Sequence, residues 1–258
     1  MILDALILAG GIPQPGESLY QFTQGRSKAL IDVAGKPMVQ WVLDALSGAK
    51  SIGRAVMVGL DESSRLRCAK ALSYLPNQGG MLDNIRAGAR KIAELNAQAE
   101  YALIVSSDIP TITSEMVDWS CSQVRPGEDD AIYYLIERGV MNKRFPNSKR
   151  TFTKLRGMEV CGGDMNPASV PLILSHTGPW EKIAAARKSA VKQASLVGFD
   201  TLLLFLLRAM TMEQAAARVS KRLGMRARGL LCPFAEVGMD VDKVHHLEIV
   251  QRELAGRG

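Results

Sequence analysis

The sequence predicts a doubly wound α/β fold built around a mainly parallel sheet. Short apolar runs recur at residues 2–8, 55–58, 102–105 and 131–136, and segments with helical spacing of apolar residues lie between them. The first run stops at a glycine pair and the third at Ser106-Ser107-Asp108, polar ends of the kind that carry ligands in open α/β sheets.

Each element follows from local pattern. The run at 2–8 is continuous and β-prone, as a strand covered on both faces must be. Residues 12–29 are polar, with two prolines and two glycines, and read as a loop. Over 36–46, Val39, Val42, Leu43 and Leu46 fall on one helical face behind Pro37, which suits a helix start. Residues 55–58 give a second strand, and 63–72 read as helix. Leu82, Ile85, Ala89 and Ile92 form a further helical stripe directly after Gly79-Gly80. A third strand at 102–105 is followed by a helix from Ser114, with Thr113 as its cap and Glu115 at the positive end of its dipole. Residues 131–136 make a fourth strand.

From 138 to 230 the rhythm breaks. This stretch reads as an insertion within a single domain of 1–258: a basic loop followed by a helical segment over 180–223, forming an acceptor-side subdomain. A strand end and a last helix follow, with Val244, Leu247, Val250 and Leu254 on one face.

Composition narrows the partners. The chain has 258 residues, 47% hydrophobic and 22% charged, enough for a full core, and its net charge of +6 favours anionic ligands. Between Arg138 and Arg156 there are seven basic residues and no acidic one, which fits either a solvated face or a clamp for an anionic substrate. Few aromatic residues are interleaved and no nucleic-acid-binding motif is present, so nucleic acid is not expected as a partner. The longest late apolar run, 202–207, is too short to span a bilayer, so no membrane association is expected. Cys68, Cys121, Cys161 and Cys232 are widely spaced, as expected for reduced thiols in a cytoplasmic protein. His176 stands alone. His245 and His246 are neighbours on a helix, where their side chains are not expected to converge on one ion.

The chemistry starts at Leu8-Ala9-Gly10-Gly11, a strand followed by a glycine turn whose N–H groups can approach a phosphate. Neither the dinucleotide fingerprint nor a Walker A loop follows it. Downstream come Ser27-Lys28-Ala29-Leu30 and then Gly35-Lys36-Pro37-Met38 before a helix. This succession resembles the opening of the MobA-like nucleotidyltransferases, whose members include molybdenum-cofactor guanylyltransferases, and is similar to sugar-phosphate uridylyltransferase domains. The resemblance covers residues 1–46, 77–118 and 236–254 and implies a nucleotide-diphospho-sugar transferase-like fold. It also implies that the loop wraps a triphosphate and that Lys28 contacts its phosphates. An ammonium there can offset charge developing on the α-phosphate and pyrophosphate. The 17 positions from Gly11 to Lys28 exceed the family's usual spacing, and Arg26 is the candidate for its loop arginine.

Two acidic motifs follow. Asp108, in Asp-Ile-Pro after a strand, matches the family's metal motif, and a carboxylate there suits Mg²⁺, which prefers oxygen ligands and phosphates. Asp242, or Asp240 as the alternative, resembles the second metal ligand before the last helix, and Asp242 also suits the helix N-cap. The segment 77–84 with Gly79 and Gly80 is placed to meet base and ribose, or is simply the loop that starts a helix. Gly163 and Asp164 read as acceptor-site lining or a tight turn, and Arg144, Arg150 or Arg156 as the clamp on an acceptor phosphate.

The expected function is therefore Mg²⁺-dependent transfer of a nucleotidyl group from a nucleoside triphosphate to a phosphorylated small molecule, either a molybdopterin-type cofactor or a sugar 1-phosphate. The lengthened loop favours an alternative, a nucleotide-binding regulator without turnover.

Overall fold

The computed structural model describes residues 1–175 and 210–256. The described strands that carry the fold are β1 (Leu3–Leu8), β4 (Ile52–Val58), β5 (Ala71–Leu75), β6 (Tyr101–Ser106), β7 (Ala131–Glu137), β8 (Thr153–Leu155), β9 (Met158–Gly162), β10 (Met165–Ser169) and β11 (Ala227–Leu231). A small hairpin of β2 (Asp32–Val33) and β3 (Lys36–Pro37) stands apart. The sheet runs β5-β4-β1-β6-β10-β7-β9-β8, with β11 also on β7. β5, β4, β1 and β6 are mutually parallel, whereas β10 runs antiparallel to both β6 and β7.

The helices are α1 (Tyr20–Thr23), α2 (Met38–Gly48), α3 (Met81–Leu95), α4 (Ser114–Ser122), α5 (Arg138–Arg144), α6 (Val170–Leu174), α7 (Met212–Leu223) and α8 (Val244–Ala255). They cover both faces, as continuous apolar strands require. Leu3, Ala5 and Ile7 of β1 bury into one layer with Val39, Leu43 and Leu46 of α2, Val117 of α4 and Val250 of α8. Leu6 of the same strand faces Ile85, Ala89 and Ile92 of α3 and Ile173 of α6. Alternation of side chains along one strand thus divides the core into two layers. No helix among the described residues is long and apolar enough to cross a membrane.

Three local expectations are corrected. Residues 63–72 are not a helix. Asp61 accepts from Ser63 N at 2.8 Å to close a short 3-10 turn, Arg65 adopts a left-handed φ of 52°, and the chain continues into edge strand β5. Pairing with β4 overrides a helix-prone composition. Thr113 occupies the position before α4 but makes no side-chain cap. Nor is 138–230 a loop and helices alone, because β8, β9, β10 and β11 all join the main sheet. Antiparallel β10, with Pro167 inside it, is a polar and proline-containing segment that reads as a turn until flanking strands pair with it. Most of the helical segment expected over 180–223, with His176 and residues 202–207, lies outside the described residues, and α7 is its described end.

Candidate active site

β1 and β6 are parallel neighbours, so Gly10-Gly11 and Asp108 leave the sheet at the same edge. The glycine turn is tightly built. Ala9 N donates to Val58 O at 2.8 Å, and Gly59, with a φ of 107°, lies so close that a Cβ on it would strike the backbone of Gly10. Asn77 Nδ2 donates to Gly10 O at 3.1 Å, Asn84 Nδ2 donates to Asn77 Oδ1 at 3.1 Å, and Asn84 Oδ1 accepts from Gln78 N at 2.7 Å. This amide web fixes the start of α3 against the turn. Together Leu8, Gly10, Gly11, Lys28, Gly80 and Asp108 line a hollow of about 300 Å³, with Gly79 beside them.

Lys28 is placed by its backbone. Its N–H donates to Gly11 O at 2.9 Å, and the preceding Ser27 hydroxyl donates to Ala9 O at 2.7 Å. Its Nζ lies 2.5 Å from Asp108 Oδ2 and 2.7 Å from Asp242 Oδ1. Burial alone would lower its pKa, but the two carboxylates outweigh that and hold the ammonium charged, above its ordinary value.

Two further carboxylates complete the cluster. Backbone bonds draw the segments together: Ser106 N to Asp164 O at 2.8 Å, Asp164 N to Val237 O at 2.9 Å, and Val241 N to Asp108 O at 2.9 Å. Burial, then repulsion from Asp240 and Asp108, pushes Asp164 up to about 8, and burial pushes Asp240 up to about 6. Asp242 goes the other way, to about 2. Burial opposes that shift and is outweighed by hydrogen bonds from Asp240 and Lys28. Arg150 is the guanidinium of the cluster and pairs with Asp240.

A second support was not legible in the sequence. His246 Nε2 and His245 Nε2 lie 3.0 and 3.1 Å from the carbonyl of Ser148, so the two rings converge on one backbone oxygen. They can do so because they sit in the first turn of α8, facing a chain that crosses it. A carbonyl only accepts, so both rings carry hydrogen on Nε2, and His246 Nδ1 is free to accept from Asp242 N at 3.4 Å. His246 therefore ties Asp242 to the segment bearing Arg150.

The other expected site residues divide. Gly163 packs under Val237, Tyr134 and Ile136, where a Cβ would not fit, so its role is steric. Arg26 is exposed at the loop rim. Arg144 is not part of the cluster. It donates to Glu236 at 2.7 Å and to Glu253 at 3.1 Å and clamps α5 to the last helix. Arg156 sits in the β8–β9 turn beside Glu137 and Lys154, in a separate hollow. Asp242 is not a helix cap, since Lys243 holds that position without a capping bond.

A metal fits part of this site. Among the described residues no three acidic, histidine or cysteine side chains form a ready-made shell. Yet Asp108 and Asp242 address one point from 2.5 and 2.7 Å, where the ammonium now lies, and buried Asp108 Oδ1 has no hydrogen-bond partner. Two carboxylate oxygens aimed at one cation, with a third oxygen unsatisfied, suit a hard divalent ion.

The profile of the MobA-like NTP transferase domain matches residues 5–225. The chain belongs to the MobA-like NTP transferase family. Among similar proteins, 3-deoxy-manno-octulosonate cytidylyltransferase of Geotalea uraniireducens is 29% identical over 115 residues, 43% of each chain. Molybdenum cofactor guanylyltransferase of Vibrio atlanticus is 26% identical over 106 residues, 41% of this chain and 52% of that one. The chain spans about half the length of these two relatives. A hypothetical transferase from Thermus thermophilus superposes with a TM-score of 0.81 and 32% identity, over 96% of this chain and all of that one. CMP:2-keto-3-deoxy-manno-octonic acid synthetase complexed with CTP shares the fold, with a TM-score of 0.61 at 14% identity over the full length of both chains.

Proposed function

We propose that the protein transfers a nucleotidyl group from a nucleoside triphosphate to a phosphorylated small molecule and releases pyrophosphate. The convergence of the Gly10-Gly11 turn, Lys28, Asp108 and Asp242 at one sheet edge carries this reading.

The N–H groups of Gly10 and Gly11 face the triphosphate, with Leu8 and Ala9 bringing the strand to it and Arg26 at the rim. The amide web of Asn77 and Asn84, with Gly79 and Gly80, forms the wall against base and ribose. An oxygen of the acceptor phosphate attacks the α-phosphorus. The bond from that phosphorus to the bridging oxygen breaks, and its electron pair leaves with pyrophosphate. No protein nucleophile is needed, so charge placement does the work. Lys28 neutralises the charge that grows on the leaving group. Asp108 and Asp242 would hold Mg²⁺, which supplies further neutralisation at the same phosphates. Arg150, paired with Asp240 inside the carboxylate cluster, is the cation for the acceptor phosphate, since its planar fork suits a phosphate and its buried Nε has no hydrogen-bond partner, whereas Arg144 lies outside the cluster.

The test is pyrophosphate release with four nucleoside triphosphates against a panel of sugar 1-phosphates and molybdopterin. Turnover with one pair, reduced at least ~100-fold by Lys28→Ala and by Asp108→Asn, is expected because each removes a charge contact to the reacting phosphates. Near-normal rates in both variants would sink the assignment.

A further inference from the structure

Next to the carboxylate cluster lies a second hollow of about 330 Å³ with a different character. Strand register puts it on the same face of the sheet as the nucleotide cleft. Leu8 of β1 pairs with Ser106, Ala102 two turns of the pleat earlier pairs with Ala168, and Ala168 pairs with Ala131. Tyr133 and Leu135 follow Ala131 at two-residue steps and so point the same way. They form the floor with Val160, and one stripe of α7, Met212, Ala216 and Val219, forms the wall. The guanidinium that reaches this region, Arg228, is committed to Asp129 at 2.7 Å. The hollow is therefore apolar and presents no unpaired charge among its described lining.

Tyr133 joins this hollow to the reacting end. The residue is 54% exposed, and its hydroxyl lies over Gly162, where any side chain would collide with it. Gly162 is two residues from Asp164. Burial, and then the charges of Asp164, Cys161 and Asp240, keep the phenol above its ordinary pKa, so it is a hydrogen-bond donor at neutral pH.

We propose that this hollow holds the body of the acceptor, and that the acceptor is a phosphomonoester with an apolar skeleton, its phosphate end passing Tyr133 toward Arg150. This rests on the nucleotidyl-transfer reading and narrows its substrate. The volume is that of a small-molecule site, and its lining is that of sites that bind apolar groups. A sugar body would bury several hydroxyls against Leu135, Val160 and Val219, with only the Tyr133 and Thr153 hydroxyls of the lining to receive them. An alkyl or aryl body loses only water.

The experiment titrates the full chain calorimetrically, without nucleotide, with n-octyl phosphate, phenyl phosphate, glucose 1-phosphate and inorganic phosphate. The two apolar esters are expected to bind at least ~10-fold more tightly than glucose 1-phosphate, through burial of their apolar surface. Ala216→Trp fills the hollow and is expected to remove that advantage. Val219→Thr, which keeps volume and adds a hydroxyl, is expected to weaken the apolar esters alone, and it covers the case in which the tryptophan variant does not fold. Equal binding of all four phosphates, or equal losses for glucose 1-phosphate and octyl phosphate in the folded variants, overturns the proposal. Binding of Mg²⁺ and each of four nucleoside triphosphates is titrated separately. Failure there overturns the transfer reading, whereas loss of the ester preference with nucleotide binding intact overturns the hollow alone.

Discussion

Replacing Lys28 with methionine keeps the side chain's bulk and removes its charge. The ammonium is shared between Asp108, whose side chain is 6% exposed, and Asp242, which is 56% exposed. The pair with Asp242 is screened by water and contributes under ~1 kcal/mol. The pair with Asp108 decides the outcome, because breaking a buried pair strands a charge at a cost of about 3–5 kcal/mol. Lys28 itself is 20% exposed, which argues for the lower end, about 3 kcal/mol. At this chain length each kcal/mol moves the unfolding midpoint by about 2 °C, so Lys28→Met is expected to melt ~6–8 °C below the natural chain in EDTA. Differential scanning calorimetry measures this directly. Mg²⁺ should then raise the variant's midpoint more than that of the natural chain, because the vacated gap between Asp108 and Asp242 accepts the ion without displacing an ammonium. A drop below ~2 °C would refute the buried pair. Equal Mg²⁺ effects on both proteins would refute the idea that ion and ammonium address the same two carboxylates.

Other perturbations read other parts of the molecule. Arg144→Gln removes the clamp on Glu236 and Glu253 and strands Glu236, whose side chain is 8% exposed, so it should cost about 3 kcal/mol by calorimetry while leaving pyrophosphate release unchanged. His246 is neutral in the fold, its pKa pulled by burial and then by His245 to about 4 from 6.5. The unfolded chain therefore binds the extra proton first. The stabilisation is complete above pH 6.5 and is lost as pH falls toward 4, by up to ~3 kcal/mol, and His246→Gln should flatten this part of the urea-denaturation profile. Burial pushes the Cys121 and Cys232 thiols up to about 11, so at pH 8 a chromogenic disulfide should label partly exposed Cys68 fast, and the others only after denaturation.

The half of the fold around β1, β4 and β6 was legible because its signals are local. β1, β4, β6 and β7 are apolar runs, α2, α3 and α8 carry apolar stripes, and the spacing of Gly10, Lys28 and Asp108 survives folding as proximity. The rest was not, because its structure depends on remote partners. β5 and β10 become strands only when β4, β6 and β7 pair with them. Arg144, Arg150 and Arg156 are equivalent in the sequence. What separates them is Glu236 and Glu253 for the first, Asp240 for the second and a solvent-facing turn for the third. The segment 77–84 reads in the sequence as the loop before a helix, but the web by which Asn77 and Asn84 hold Gly10 leaves no trace there. The imidazole link from Ser148 to Asp242 joins positions 94 residues apart and leaves no local trace.

The reversed direction of β10 has an evolutionary consequence. β7 ends and β10 begins on the rim where Asp108 stands, and between them the chain runs out through β8 and β9. Those two strands join the sheet through β7, so the segment is an extension added on the far side of that strand. Such an extension can lengthen, shorten or change its side chains without rethreading the strands that carry the Gly10-Gly11 turn and Asp108.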